Sequence, residues 1–437
     1  MRFRDRPKGD PTVADVVAVL QVAADRSAGE NTAVARSCAG VLVREPLDGL
    51  PDVVDRAVEA VGLDALTRAW QSGWQPLDLW QLTRRRRPSA AAGYLVDLLA
   101  ADTVRYAEAS IAPAWVGQLR RLGSEFWWLP DRPHFGQWLA RDGMDRRDGL
   151  ELVIALLGML RRLPGMSELI PPPGTPAAGS ARTSASSAAA SSASGSGIPS
   201  APAGVDPKML TRVRALLAKA ESTEFAEEAD AFFAKAQELM TRYSLERAML
   251  FADGDGCGLA GPGGRRIWLD SPYVSAKSML IGQVASANRA KAVFHTGFGC
   301  VTVLGDEVDL ELVEVLSTAL LVHASGAMVA AGRQLDRSGQ SRTKSFRQSF
   351  LVSYATRIGE RLTAADAATW EAVASELGDD RLLPVLVART QEVEKLYETL
   401  FPRVRAKRVS VSNDSGWGAG RVAADLADLD VRRAVRS

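Results

Sequence analysis

The stretch "LLAKAESTEFAEEADAFFAKAQELM", residues 216–240, decides how the second half of this chain folds. Leu210, Val213, Leu216, Leu217 and Ala220 recur at three- and four-residue steps, which lays one apolar stripe along a helix. Ser222 and Thr223 are stop-and-cap residues, after which Ala229, Phe232, Phe233, Ala236, Leu239 and Tyr243 draw a second stripe. Glu227 and Glu228 fall in the first turn of that second helix, where carboxylates favour the positive end of the dipole. The spacing predicts two helices, from Pro207 to about Ala220 and from about Phe225 to Tyr243, closed into a tight hairpin. The words "AKAE" and "AKAQ" place Lys219 and Lys235 beside these stripes, with Glu228 and Glu238 flanking Lys235. Such a ring of Lys and Glu forms from surface ion pairs worth about 0.3–0.5 kcal/mol each, or from lysine stems covering the seam. The functional alternative is a ligand or partner site.

Beyond the hairpin comes a glycine-rich loop, "DGDGCGLAGPGG", and then a mixed pattern. A strand is expected at Arg266 to Leu269, a helix from about Ala276 to Ala287, and two short strands, "KAVFH" and "CVTVL". Thr296-Gly297-Phe298-Gly299 joins those two strands as a hairpin loop. Long helices are expected from Asp306 to Ala331 and from Lys344 to Leu362, with shorter ones near Ala365 to Leu377 and Gln391 to Leu400. A strand "RVSVS" and a final helix after Gly420 complete the reading.

Upstream, "PPPGTPAAGSARTSASSAAASSASGSGIPSAPAG" offers almost nothing to pack and reads as a flexible tether. Before it, helical spacing runs nearly throughout, as in Val16, Val17, Leu20, Ala23 and Ala24, and in Leu152, Ala155, Leu156, Met159 and Leu160. Trp70, Trp74, Trp80, Trp115, Trp127, Trp128 and Trp138 lie in this part, and large rings in a helical domain mostly fill its core. The division is therefore a mainly α, Trp-rich amino-terminal domain (1–165), a Pro/Ser/Ala/Gly linker (166–205), the hairpin (206–251) and an α/β domain (252–437). The last is helix-dominated with a small sheet.

A chain of 437 residues calls for two or three cores. Apolar residues at 46% and charged residues at 24% suit globular domains. With 53 Lys plus Arg against 52 Asp plus Glu, no basic excess points to nucleic acid or anionic membrane, so any polyanion site must be a local patch. Cys38, Cys257 and Cys300 are odd in number and scattered, which argues against a disulfide framework and for a reducing cytoplasm. The start, "MRFRDRPKGD", has charge without an apolar core and is not read as a secretory signal. No apolar run is judged to approach the roughly 20 residues that cross a bilayer. Heavy use of Arg and Ala suggests a bacterial source. The oligomeric state is not legible.

The pair "LLAKAEST" and "EEADAFFAKAQELM" resembles the signature of a bacterial and phage family catalogued as a domain of unknown function, number 2786, over Lys208 to Leu245. "VTVLGDEVDLELVEVLSTALLVHASGAM", "SFRQSFLVSYATRIGERL" and "GWGAGRVAADLADL" resemble the companion segment that follows it in actinobacterial members. The resemblance implies no activity. It marks Lys219, Glu221, Glu228, Lys235, Gln237 and Glu238 as signature positions without roles.

No catalytic signature emerges. His134, His295 and His323 are too few and too scattered for zinc, and neither a G-x-S-x-G elbow in ordered sequence nor a phosphate loop is present. No metal or cofactor is expected. "SVSNDSGWGAGRVAADLADL" is the best anion candidate, a strand and a glycine turn leading into a helix with Arg421 at its start, against a plain turn. Arg84 to Arg87 and Arg403, Arg405, Lys407 and Arg408 form basic clusters. Arg347, Arg357 and Arg361 flank a stripe of Phe346, Phe350, Tyr354, Ile358 and Leu362 that reads as core. Three readings follow: a non-catalytic cytoplasmic binding or scaffold protein acting through the hairpin and the α/β domain; a nucleic-acid binder using the arginines; and an enzyme using Lys and Glu as an acid–base pair. The partner is an unnamed protein or a nucleic acid, with no membrane.

Overall fold

The computed structural model describes residues 10–27, 32–44, 47–175, 206–222, 226–252, 261–331, 343–377, 382–404 and 413–426. The chain divides into two compact units, Met1–Ser194 and Gly195–Ser437.

The described residues of the first unit form helices and no strand: α1 (Val13–Arg26), α2 (Ala33–Leu42), α3 (Pro51–Gln71), α4 (Pro76–Arg86), α5 (Ser89–Thr103), α6 (Pro113–Arg121), α7 (His134–Asp142) and α8 (Arg146–Leu160). A capping box opens α1, where Thr12 and Asp15 satisfy each other's backbone amides. Proline occupies the first turn of α3, α4 and α6, where its missing N–H leaves no helical bond unmade. Trp70, Trp74, Trp115, Trp128 and Trp138 are buried, as the core reading expects, while Trp127 is 39% exposed. The indole N–H of Trp70 donates to Asp102 Oδ2 at 2.8 Å and that of Trp74 to the Pro164 carbonyl at 2.8 Å. The start of the expected tether belongs to this unit: the Met166 N–H donates to Ser72 O at 2.8 Å and that of Gly174 to Ser110 O at 3.1 Å. The remainder of the tether lies outside the described residues.

The second unit is helix-dominated, with one small sheet among the described residues. It comprises α9 (Pro207–Ser222), α10 (Ala226–Ala252), β1 (Gly263–Trp268), α11 (Val274–Ala287), β2 (Lys291–His295), β3 (Cys300–Gly305), α12 (Glu307–Ala330), α13 (Thr343–Leu377), α14 (Leu382–Leu400) and α15 (Asp414–Leu426). The strand order is β1-β3-β2, antiparallel, with Gly263 opposite Gly305 and Lys291 opposite Leu304. Central β3 is buried along its whole length. Ile267, Val301, Val303 and Phe294 share the face that joins the main core. Lys291 and His295 share the opposite face, where Tyr397 and Phe401, at the end of α14 and just beyond it, stand near them.

The hairpin forms as its stripes predict: Leu210, Val213, Leu217, Ala220, Phe233, Ala236 and Met240 are buried in one core with α11, α12 and α13. Asp206 N–H donates to the Tyr243 hydroxyl at 2.8 Å and closes its open end. Phe346, Phe350, Tyr354, Ile358 and Leu362 are buried as expected.

Four expectations change. The helices expected at 344–362 and 365–377 are one 35-residue helix, α13, because Thr363-Ala364-Ala365-Asp366 contains no breaker and is alanine-rich. The helix expected from Gln391 begins at Leu382, with Pro384 in its first turn. The helix expected after Gly420 begins at Asp414 and runs through Gly416, Gly418 and Gly420, so these glycines form no turn. A Cβ on Gly416 or Gly420 would stand under 3.0 Å from the backbone oxygens of Phe346 and Phe350, so their lack of a side chain lets α15 lie directly on α13. Finally, α12 passes by length and composition as a bilayer-crossing helix, with mean hydropathy 1.7 over 18 residues, contrary to the sequence reading. It packs Val308, Leu312, Val313, Leu316 and Leu320 into the core beside the sheet, as a core helix does. The strand expected at "RVSVS" lies outside the described residues.

Candidate functional site

The second hairpin helix carries more than its apolar stripe into the core. Gln237, Thr241 and Ser244 follow at four- and three-residue steps on the inward side of α10, and Gln237 and Thr241 are buried. Each side chain finds a partner on a different element. Gln237 Nε2 donates to Asn288 Oδ1 at 3.1 Å, Thr241 Oγ1 to Asp366 Oδ1 at 2.9 Å, and Ser244 Oγ to Asp309 Oδ1 at 2.7 Å. Asn288 donates in turn to the Val284 carbonyl at 2.8 Å, which fixes its amide and through it the orientation of Gln237. Gln237 Oε1 is then left buried without a hydrogen-bond partner.

Arg289 gathers this seam. It follows the α11 cap in the left-handed region, at φ 57°, a conformation that costs a residue with a Cβ about 1–2 kcal/mol. Its guanidinium reaches Asp309 Oδ1 at 3.1 Å and Asp366 Oδ1 at 3.5 Å. Burial alone would lower the Arg289 pKa, but the carboxylates of Asp309 and Asp366 outweigh it and hold the guanidinium charged. Burial raises Asp366 above the usual carboxylate range, against the pull of Arg289 and the Thr241 hydroxyl. Asp306, which opens α12, is likewise raised by burial and lies 3.5 Å from Arg389 of α14.

Above the seam a cleft of about 490 Å³ opens, bounded by Asp366 and Trp370 of α13, Leu386, Val387 and Glu394 of α14, and Arg289 at its floor. Trp370 and Leu386 also pack on Leu245 and Val373, tying the cleft wall to the end of α10.

The residues singled out in the sequence are distributed differently. Lys219 is exposed, its Nζ 5.7 Å from the Phe232 ring centroid. Lys235 is exposed and holds both Glu238 oxygens at 2.8 Å. Gln237 is the signature position that enters the seam; the side chains of Glu221 and Glu228 lie outside those described. Arg357 pairs with Asp425 and Glu360, Arg361 with the carbonyl oxygens of Ala424 and Asp425, and Arg421 with Glu360, so these three clamp α15 to α13. Arg347 is half-buried with its Nε unbonded, and Arg403 is exposed. Arg405 and Arg408 lie outside the described residues. His323 Nδ1 meets the Tyr354 hydroxyl at 2.9 Å, and burial lowers its pKa. Among the described residues no group of three His, Cys, Asp or Glu is placed to hold a metal ion.

Residues 208–247 match the family described as Protein of unknown function (DUF2786). No curated protein and no solved structure matches the chain. The DUF2786 match thus spans α9 and the part of α10 that supplies Gln237, Thr241, Ser244 and Leu245 to the seam and the cleft wall.

Sequence reasoning missed Thr241, Ser244, Asn288, Arg289, Asp309, Asp366 and Trp370. A signal for the first two was available, since polar residues in step with Gln237 interrupt a buried face. Arg289 has none, because its left-handed backbone and its two partners exist only after folding.

Proposed function

We propose that the second unit is a non-catalytic binding module, in a bacterial cytoplasmic protein, and that its contact surface is the cleft over the Arg289 seam. One observation carries the reading: the charged groups beneath the cleft are engaged with one another. Arg289 holds two carboxylates, Thr241 and Ser244 each donate to one of them, and Thr390 at the rim donates to the Leu386 carbonyl. That arrangement builds a rigid floor, in which the carboxylates that accept from the Thr241 and Ser244 hydroxyls are themselves held by Arg289. Lys219 and Lys235, the acid–base candidates, stand on exposed helix surface, which supports binding over catalysis. Of the arginines that favoured nucleic acid, Arg357, Arg361 and Arg421 are engaged in holding α15, which favours the first reading.

The test uses the full chain. Purified protein is offered nucleic acid, nucleotide and peptide substrates, and bound ligands are mapped by hydrogen exchange. Saturable binding that protects residues 366–373 and 386–394 without turnover is the expected result. Turnover that is lost in Lys235→Ala or Asp366→Asn with the fold intact overturns the proposal.

A further inference from the structure

The chemistry of the cleft narrows what it holds, provided the cleft is the binding surface. Its floor cation is already engaged: Arg289 sits between Asp309 and Asp366. Lys291, the next cation along, holds Glu394 at 2.6 Å. Of the charged groups that line the cleft, Asp366 and Glu394 are negative and Arg289 is positive, so the excess is a single negative charge. An anion entering here would meet Asp366 and Glu394 before any unengaged positive group.

Asp366 is the less satisfied member. Both of its hydrogen bonds, from Thr241 and Arg289, fall on Oδ1, so Oδ2 has no partner among the described residues. More than a quarter of its side chain is open to solvent, and 40% of Glu394 is. The raised pKa of Asp366, caused by burial, has the same meaning: its charge is held in a poorly solvating place that a further donor would relieve. Beside these carboxylates stand an indole and two aliphatic side chains, Trp370, Leu386 and Val387. An aromatic face with a carboxylate attracts an organic cation, and an apolar wall takes its methylene stem.

We propose that this cleft binds the lysine or arginine side chain of a peptide segment on a protein partner, with a neighbouring apolar residue seated on Leu386 and Val387. The excess of a single negative charge suits one ammonium or guanidinium. A polyamine, with several charges in a row, would need more carboxylates than stand here. A metal ion would need a ligand cluster that the described residues do not form. The seam beneath has its own part: Thr241 and Arg289 hold Asp366 in place, so the hairpin positions the recognition group without touching the ligand.

The experiment titrates the full chain with acetylated, amidated Leu-Lys-Leu, its norleucine and glutamate analogues, and spermidine, by calorimetry at low and physiological salt. The lysine peptide is expected to bind, more weakly as salt rises. Asp366→Asn should weaken it about 10- to 100-fold, as loss of a charged hydrogen bond does. Glu394→Gln, at the exposed rim where folding is safe, should weaken it about two- to fivefold. Equal binding of the norleucine peptide, preference for the glutamate peptide, tighter binding of spermidine, an unchanged Kd in Glu394→Gln, or no peptide binding at millimolar concentration each overturns the inference. Turnover of an offered substrate would instead defeat the binding-module reading beneath it.

Discussion

Replacing Gly420 with alanine tests the packing of the last helix most directly. Three glycines, Gly416, Gly418 and Gly420, sit inside α15, where each is worth about 1 kcal/mol less than alanine by intrinsic helix propensity. The environments differ sharply. A Cβ at Gly418 meets nothing within 4 Å, whereas one at Gly420 collides with the backbone of Phe350, which cannot rotate away as a side chain would. Gly418→Ala should therefore stabilise α15 by up to about 1 kcal/mol. Gly420→Ala gains the same propensity but forces α15 off α13, and overpacking of this kind costs about 1–3 kcal/mol. That separation also loosens the Arg357, Arg361 and Arg421 contacts between the two helices. A chain with two units need not unfold in one step, so the assay is hydrogen exchange by mass spectrometry on peptides spanning 414–426. Set against the propensity gain, the net loss of up to about 2 kcal/mol appears as up to roughly 30-fold faster exchange in Gly420→Ala, while Gly418→Ala exchanges no faster than the parent. If the two variants behave alike, the glycines are not there for close approach, and the turn reading of "SGWGAG" returns.

Three further outcomes follow from the seam and the sheet. Arg289→Met should destabilise the second unit by about 3–5 kcal/mol by leaving Asp309 and Asp366 unpaired; adding Asp309→Asn and Asp366→Asn should recover much of the loss in thermal denaturation, and no recovery would mean the carboxylates are not the cause. His295, beside Arg266 and bonded to Thr302, is held at about 4 chiefly by burial, against 6.5 when unfolded. The unfolded chain therefore takes the proton first, so the stability from this group is whole above pH 6.5 and is lost as pH falls toward 4. Since the ring is partly exposed, the loss is set at about 1–2 kcal/mol, and His295→Gln should flatten the melting temperature across that window. Lys235→Ala should shift stability by no more than about 0.5 kcal/mol, as an exposed pair does; a larger shift by urea denaturation would give Lys235 a structural role that its contact with Glu238 does not explain.

Local rules carried most of the architecture. The two stripes of the hairpin, the strands "KAVFH" and "CVTVL" with their glycine-bearing loop, and the buried face from Phe346 to Leu362 all follow from spacing of two or of three and four residues. Boundaries were less legible, and for specific reasons. Glycines at 416, 418 and 420 are the usual mark of a loop, and only the backbone of α13 pressed against them explains why they lie in a helix. The apolar length of α12 was hidden by Glu311 and Glu314, which meet the chain outside the core while the opposite side of the helix is buried.

The site divides the same way. By itself the sequence determined which residues line each helix, since side-chain direction along a helix follows from position alone, and that Lys208 to Leu245 carry a specific signature. It could not say which polar groups converge. Thr241, Ser244, Asn288, Arg289, Asp309 and Asp366 come from α10, the turn after α11, α12 and α13, and their meeting depends on how those elements pack and on one left-handed backbone at Arg289. The repeated lysines drew attention because they repeat, yet they remain at the surface. Tertiary structure placed the buried chemistry at Gln237, Thr241 and Ser244, on another face of the helix that carries Lys235, because a polar group inside a core must find its partner in space rather than in sequence.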